Sequence, residues 1–338
     1  MIYMLFEKNF YIIIFFLILN IIFYFLKNNI YKKFLPIDKP GPRKIHSNPV
    51  IINGGLFFFI NFIFIIIFTI FSDNFLNNFY NLEIRINIFI SICFLYILGY
   101  IDDRYNLNSS LKLFFIIIIL YFFLKDNELF LIQKLEFSFL SNKIYLGSYS
   151  MFFTILCISL FINSFNMFDG INLQSGFYSL SFFIFFLLLS FNLLFCLIFI
   201  IPHFLFLIKN YKNESFLGDG GCYILSFIIS LFIINYYNLG YIKSDQIFLL
   251  MMLPGIDMLR LFIVRIIKKR NPFSGDSNHL HHILLKSFPA SKVFLIIFLI
   301  NFINFLFVFL NYNSLIAFFI NLISYLFIFI KFKAYNFN

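Results

Sequence analysis

The chain has 338 residues, of which 62% are hydrophobic and 12% are charged, and its mean hydropathy is +0.94. A soluble domain carries about 25% charged residues, so this composition excludes an ordinary soluble globular protein. Apolar runs of about 18 residues recur from end to end, which predicts an all-α polytopic membrane protein. The net charge of +10 comes mostly from loop Lys and Arg, and it does not indicate nucleic-acid binding.

Eleven transmembrane helices are predicted in chain order, or ten if the sixth and seventh are one helix. Each is an apolar run near the length of about 17–25 residues that crosses a bilayer. We expect the spans at about 9–27, 50–71, 84–101, 109–124, 149–165, 175–190, 192–209, 222–238, 246–267, 292–310 and 314–331.

The loops between these spans alternate between rich and poor in Lys and Arg. The positive-inside rule assigns the rich set to the cytoplasm, so the N-terminus is expected outside. On the outer, periplasmic side, segment 125–148 alternates loosely around a turn-like Ser141-Asn142. That pattern predicts a small β-hairpin.

Five polar motifs fall on the predicted cytoplasmic side. Each alone is typical of a membrane-flanking loop or a turn. Together they combine carboxylates, glycine-rich backbone, histidine and basic residues, which is the composition of a divalent metal–phosphate site. We therefore predict one membrane domain over 1–338 with cytoplasmic active-site loops at 28–49, 102–110, 166–174, 210–221 and 268–291. The motifs are DKPGPRKIHSNP…NGG (38–55), DDRYNLNSSLK (102–112), NSFNMFDGIN (163–172), FLGDGG (216–221) and NPFSGDSNHLHH (271–282).

The Asp102-Asp103 pair directly follows an apolar run. Carboxylates are unfavourable at a helix C-terminus unless a cation neutralises them, and a bound Mg²⁺ would do so. Lys112 is suited to hold a phosphate as a point charge, and a helix that starts after GDGG would direct N–H groups at an anion. The HLHH segment lacks the HExxH pattern of metalloproteases, so phosphate or nucleotide contacts are favoured over zinc.

These motifs, in this order over about 36–290, resemble the polyprenyl-phosphate N-acetylhexosamine-1-phosphate transferases, glycosyltransferase family 4. One departure from the family is DGINLQSG, where many members have DGxDGLA: Asn172 replaces the second Asp, and Leu173-Gln174 replaces Gly-Leu. The resemblance implies catalytic roles for Asp102, Asp103, Asp219 and His279, and metal ligation by Asp103 and Asp219. It implies substrate binding by Arg43, His46, Asn166, Asp169, Asn172, His281 and His282, in addition to Lys112.

The function implied by the resemblance is transfer of N-acetylhexosamine-1-phosphate from a UDP-sugar to polyprenyl (undecaprenyl) phosphate, with release of UMP. The HLHH spacing resembles that of the GlcNAc-type members, which implies GlcNAc or a related sugar in the donor, while the DGINLQSG departure leaves the sugar preference open. The phospho-N-acetylmuramoyl-pentapeptide transferases are the alternative within the family. The resemblance also implies Mg²⁺, with Mn²⁺ as a substitute, an inner bacterial membrane with the site facing the cytoplasm, and a homodimer.

Two questions stay open at this stage. The first is the mechanism: either the lipid phosphate attacks the donor directly, with Asp102 as base or orienting group, or an Asp nucleophile first takes the phosphosugar in a ping-pong route. A cation-coupled transporter is the alternative from another class, since Asp257 and Arg260 follow a Pro-Gly pair inside an apolar run and His203 lies in another. An internal ion pair, with the Pro-Gly pair breaking the helix, and ordinary packing of His203 explain those residues better than transport does.

Overall fold

The structure is a computed structural model that describes residues 2–25, 34–41, 46–71, 81–189, 193–272 and 278–334. It confirms an all-α polytopic membrane protein. The described residues form thirteen α-helices and two short antiparallel β-pairs. The helices are α1 Ile2–Phe25, α2 Gly54–Phe71, α3 Leu82–Tyr105, α4 Ser109–Lys125, α5 Ser150–Phe168, α6 Gln174–Leu188, α7 Leu193–Tyr211, α8 Gly218–Asn238, α9 Ser244–Leu250, α10 Met252–Ile267, α11 Leu280–Leu285, α12 Ala290–Phe309 and α13 Ser314–Ala334; the strands are β1 Ile37–Asp38, β2 Val50–Ile51, β3 Lys134–Leu135 and β4 Ile144–Tyr145.

Each predicted span overlaps a helix, or for the ninth span the bent pair α9–α10. Among the described residues, five helices are long and apolar enough to cross a bilayer, and six if the bent pair is one span. Four further apolar helices are shorter, at Ile14–Phe25, Gly54–Ile67, Gln174–Leu188 and Leu197–Tyr211.

The α9–α10 pair bends by 77° at Met251. Pro254 has no N–H to donate to the Leu250 carbonyl four residues earlier, and its ring clashes with that carbonyl. The Tyr178 hydroxyl donates a hydrogen bond of 3.0 Å to the Leu250 carbonyl oxygen instead. The break predicted at the Pro-Gly pair therefore lies three residues earlier, where a side chain satisfies the freed backbone group.

The chain forms two compact units. The first unit comprises Met1–Leu107 and Ser179–Leu225, and the second comprises Asn108–Tyr178 and Ser226–Asn338. The assignment of all 338 residues to one catalytic domain stays a prediction.

In the first unit, a β-pair not expected from the sequence precedes α2. Strand β1 pairs antiparallel with β2, with Ile37 opposite Ile51. The backbone N–H of Gly54 then donates to the Phe216 carbonyl at 2.9 Å, and that of Gly55 to the Leu217 carbonyl at 2.9 Å. These bonds attach the segment before α2 to the segment before α8.

In the second unit, the β-hairpin predicted for segment 125–148 is confirmed, and its outer location stays a prediction. Strands β3 and β4 pair antiparallel, with Lys134 opposite Tyr145. The backbone N–H of Glu136 donates to the Tyr237 hydroxyl at 2.8 Å, and the Ser244 N–H donates to the Glu136 carbonyl at 2.8 Å. The hairpin is therefore held to the junction between α8 and α9.

Candidate active site

The Asp102 carboxylate lies at the C-terminal end of α3 and is 2% exposed. Its Oδ1 accepts a hydrogen bond of 2.9 Å from the Leu107 N–H, and its Oδ2 accepts one of 3.2 Å from the Tyr223 hydroxyl. Asn106, in the left-handed region at φ 51, ends the helix and turns the chain back toward this side chain. These donors offset the unfavourable position of a carboxylate at a helix C-terminus.

The neighbouring Asp103 carboxylate is half-buried and points to a different helix end. Its Oδ1 accepts a hydrogen bond of 3.0 Å from the backbone N–H of Asp219 in the first turn of α8. A carboxylate is favoured at a helix N-terminus, where the first N–H groups lack partners within the helix. Helix α8 begins at Gly218 rather than at the predicted residue 222, and the anion bound to this N–H is the protein's own Asp103 carboxylate.

Glycines allow these carboxylates to come together. A Cβ atom on Gly99 would lie 2.3 Å from the Cα and N atoms of Gly220, so α3 and α8 touch backbone to backbone. Gly218 has a φ of +72°, and its Cβ would lie 2.6 Å from Oδ2 of Asp103. Because Gly218 has no side chain, the Asp103 carboxylate and the Ile52 side chain can approach its backbone closely.

His46 lies in the first unit, between β1 and β2. Its Nε2 is 3.0 Å from Oδ2 of Asp38, its Nδ1 is 2.8 Å from the Asn48 carbonyl oxygen, and its ring is 5.0 Å from that of Phe216 between centroids. These contacts join the His46 side chain to β1, to the residues just before β2 and to Phe216. Arg43, predicted to bind substrate, lies outside the described residues.

In the second unit, the NMFDG motif ends α5. The Asp169 N–H bonds the Asn166 carbonyl at 3.1 Å, and the Asp169 carboxylate accepts a short hydrogen bond from the Ser175 hydroxyl. Asn166 and Asn172 are half-buried. Leu173, which replaces the family's glycine, has a φ of 71° in the region that favours glycine. The loop thus keeps a glycine-type backbone without the glycine.

The histidine motif packs directly on NMFDG. A Cβ atom on Gly170 would lie 2.0 Å from Nε2 of His281, so the imidazole lies against the glycine backbone. The His281 and His279 rings are parallel, with centroids 5.4 Å apart, and His282 lies 4.3 Å from His281. Burial, with the nearby His282 and His279, lowers the pKa of His281 to about 3, so His281 is neutral near pH 7.

His279 is bound to Asp257, with His279 Nδ1 2.9 Å from Asp257 Oδ2. Asp257 also bonds Arg260 at 2.8 Å. Lys112 lies half-buried in the first turns of α4, whose start is capped by the Asn108 side chain bonding the Ser110 N–H at 3.2 Å. The structure thus brings together Asn166, Asp169, His279, His281 and His282 in the second unit, and Asp102, Asp103 and Asp219 in the first.

Comparison with known proteins agrees with these motifs. Residues 85–237 match the family described as Glycosyl transferase family 4. Over this segment the chain is similar to that family. The segment contains the aspartate pair, NMFDG and GDGG, while HLHH follows it in the chain. The predicted resemblance is confirmed.

Curated relatives cover most of the chain at low identity. A protein of Salmonella typhi is 24% identical over 290 residues, covering 82% of this chain and 76% of the relative. A protein of Yersinia pestis is 26% identical over 312 residues, covering 84% and 79%. A protein of Thermotoga maritima is 26% identical over 265 residues, covering 77% of each. Each relative is named undecaprenyl-phosphate alpha-N-acetylglucosaminyl 1-phosphate transferase.

Within the segment 85–237 that matches this family, the carboxylates of Asp103 and Asp219 are suited to a hard divalent cation. Mg²⁺ takes oxygen ligands and binds through one or two carboxylates plus substrate phosphates. Both side chains are half-buried, and the backbone N–H of Asp219 is bonded to Oδ1 of Asp103. In the part of the chain that the structure describes, no three His, Cys, Asp or Glu side chains form a complete metal-ligand group.

Sequence reasoning missed several residues that build this arrangement. Tyr223 lies four residues after Asp219, on the same face of α8, and this spacing was a usable signal for a polar partner of the aspartate pair. Gly99 lies inside an apolar helix three residues before Asp102, a position where glycine indicates a close backbone approach. Asp257 was noted, but as a transport candidate.

Proposed function

We propose that the protein transfers N-acetylhexosamine-1-phosphate, with GlcNAc-1-phosphate as the leading donor group, from a UDP-sugar to undecaprenyl phosphate and releases UMP. The match to family 4 and the names of the relatives support this reaction. The observation that carries it is the hydrogen bond between the Asp103 carboxylate and the Asp219 N–H, which joins the DDRYN and GDGG motifs.

We propose Mg²⁺ as the cofactor, with Mn²⁺ as a substitute, held by Asp103 and Asp219. When bound, the ion would supply charge neutralisation for the donor diphosphate and for the leaving UMP. The two half-buried carboxylates and the bond between the Asp219 N–H and Asp103 Oδ1 support this assignment.

The Asp102 side chain is better suited to holding the site than to taking a proton. Both of its oxygens accept hydrogen bonds, and 2% exposure leaves it little contact with solvent. The acceptor, undecaprenyl phosphate, needs little help from a general base, because a phosphate monoester loses its second proton with a pKa of about 6. We therefore favour direct attack by the lipid phosphate over a ping-pong route.

In the second unit, we propose that NMFDG and HLHH bind the UDP-sugar. The Ser175 hydroxyl fixes the Asp169 carboxylate, and the neutral His281 imidazole packs on Gly170. A neutral imidazole offers one donor and one acceptor, which suits hydroxyl and carbonyl groups of a nucleotide sugar. We also propose that the site faces the cytoplasm of a bacterial inner membrane, and that the protein forms a homodimer.

The transporter alternative loses its two candidate sites. The buried His203 imidazole has Nδ1 2.7 Å from the Phe199 carbonyl oxygen and Nε2 3.0 Å from the Ser179 hydroxyl, so its contacts are those of a packed helix residue. Asp257 and Arg260 pair with each other and with the histidine motif. The muramoyl-pentapeptide reaction remains a donor-specificity question within the same chemistry.

The test is turnover by the purified full chain in detergent, with undecaprenyl phosphate, Mg²⁺ and a panel of UDP-sugars, measured as UMP release. We expect turnover with UDP-GlcNAc or a related donor, and loss of UMP release in Asp103→Asn and in Asp219→Asn with unchanged thermal unfolding. Asp126→Asn, an exposed carboxylate just after α4, is the matched control and should keep full activity.

Two results would contradict this proposal. Failure to turn over any UDP-sugar in the panel would reject the transferase function. Full activity in both aspartate variants would reject the metal site while leaving the reaction class standing.

A further inference from the structure

Asp257 lies outside the five polar motifs, inside helix α10. Resting on the proposed function, we propose that Asp257 is a positioning residue of the transferase: it fixes the orientation and the tautomer of His279 so that Nε2 of His279 is presented to the UDP-sugar.

The geometry begins with the bond between the two side chains. Oδ2 of Asp257 lies 2.9 Å from Nδ1 of His279, and the two residues are 7% and 8% exposed. A carboxylate only accepts hydrogen bonds, so the proton of this bond lies on Nδ1. Nε2 is then the ring nitrogen that meets a ligand, as in other sites where a carboxylate orients a histidine.

The other carboxylate oxygen is held from three directions. Oδ1 of Asp257 accepts from the Leu280 N–H at 3.1 Å, from the Arg260 guanidinium at 2.8 Å and from the Tyr325 hydroxyl at 2.8 Å. Because Leu280 follows His279, the Asp257 carboxylate binds both the His279 side chain and the backbone next to it. The imidazole therefore has little freedom to rotate.

Arg260 completes the arrangement. Its guanidinium pairs with Asp257, donates to the Asn278 carbonyl at 2.6 Å and to the Tyr325 hydroxyl at 2.7 Å, and lies 4.5 Å from the Phe329 ring centroid. The charges of Asp257 and Arg260 thus compensate each other, and the pair holds His279 in place. Arg260 links the pair to α13 through Tyr325 and to Asn278, the residue before His279.

The test is the variant Asp257→Asn, which keeps the size of the side chain and removes its charge. We expect kcat for UMP release at saturating UDP-GlcNAc to fall by about 10–100-fold, as for other residues that orient a reacting group. Tyr325→Phe is the matched control, since it removes one bond to Oδ1 and leaves the Oδ2–His279 bond; we expect a smaller loss of kcat than in Asp257→Asn.

A double-mutant cycle with His279→Ala separates positioning from structure. If Asp257 acts through His279, Asp257→Asn adds almost no further loss once the imidazole is gone. An equal loss in both backgrounds would overturn the inference. If Asp257→Asn unfolds because Arg260 is left as an unpaired buried charge, the pair Asp257→Asn/Arg260→Gln removes both charges and enters the same cycle.

Nitrogen NMR of the labelled imidazoles gives a readout independent of turnover. There are 5 histidines, and His279→Ala assigns the relevant signal. We expect a protonated Nδ1 on His279 in the wild type and a changed Nδ1/Nε2 pattern in Asp257→Asn. The same Nδ1/Nε2 pattern in Asp257→Asn as in the wild type would overturn the inference. If the wild type turns over none of the UDP-sugars, the proposed function is rejected, and the NMR result alone decides whether Asp257 sets the tautomer of His279.

Discussion

Replacing Gly170 by alanine tests the packing of NMFDG against HLHH. The added methyl carbon would lie 2.0 Å from Nε2 and 2.1 Å from Cε1 of His281. Ordinary van der Waals contact needs about 3.5 Å, so the imidazole must retreat by about 1.5 Å. His281 is 3% exposed and has His282 and His279 beside it, so it has no solvent to retreat into.

The magnitude follows from two opposing terms. Overpacking of a buried site typically costs about 1–3 kcal/mol. The lower backbone entropy of the unfolded alanine chain returns about 0.4–1 kcal/mol. We therefore expect Gly170→Ala to lower the free energy of unfolding by about 1–2 kcal/mol. Misplacing a substrate-binding group by about 1 Å costs up to about 100-fold in rate, so we expect a comparable loss of kcat/KM for UMP release.

The assay compares thermal unfolding and UMP release in detergent with those of Gly255→Ala. No atom lies within 4 Å of a Cβ built at Gly255 in α10, so that variant should be stabilised by about 0.5–1 kcal/mol. In Gly170→Ala/His281→Ala the removed ring makes room for the methyl group, so the stability loss should be less than the sum of the single losses. Wild-type Tm and kcat/KM in Gly170→Ala would refute this packing argument.

Two further predictions concern the same unit. Leu173→Gly should keep or raise the unfolding free energy, by up to about 1 kcal/mol, because glycine relieves the left-handed backbone at φ 71; a lower Tm in detergent would contradict it. At the β3–β4 hairpin, Lys134, with Lys243 and Lys143, holds the pKa of Glu136 well below its ordinary value of 4.5. A carboxylate whose pKa is lowered in the folded state stabilises the fold fully above about pH 5, and progressively less as the pH falls below the ordinary pKa. The thermal unfolding temperature in detergent, measured as a function of pH, should therefore fall less on acidification in Glu136→Gln than in the wild type. The same pH dependence in both proteins would contradict this prediction.

The positions of the apolar helices could be predicted because a membrane-spanning helix needs an apolar run of about 17–25 residues. For instance, α2 ends at Phe71, α8 ends at Asn238 and α13 begins at Ser314, all as predicted. The ends at the polar motifs were less accurate. Helix α8 begins four residues early because the Asp103 carboxylate, rather than a loop, satisfies its first turn.

The sequence could not decide between the two aspartates. Asp102 and Asp103 are adjacent, and a pattern along the chain gives them the same environment. What separates them is distant in sequence: the Tyr223 hydroxyl, 121 residues from Asp102, and the Asp219 N–H, 116 residues from Asp103. Only the tertiary packing of α3 on α8 buries the Asp102 carboxylate and places the Asp103 carboxylate, half-buried, at the first turn of α8.

The Asp257–Arg260 pair shows a second limit of sequence reasoning. The i,i+3 spacing correctly predicts an ion pair, but a buried ion pair is weak evidence for stability, because desolvation cancels much of its attraction. The position of the pair is better explained by the hydrogen bond that the second carboxylate oxygen of Asp257 makes. That oxygen binds His279, 22 residues away, so the charge once counted toward transport is accounted for by holding an imidazole in place.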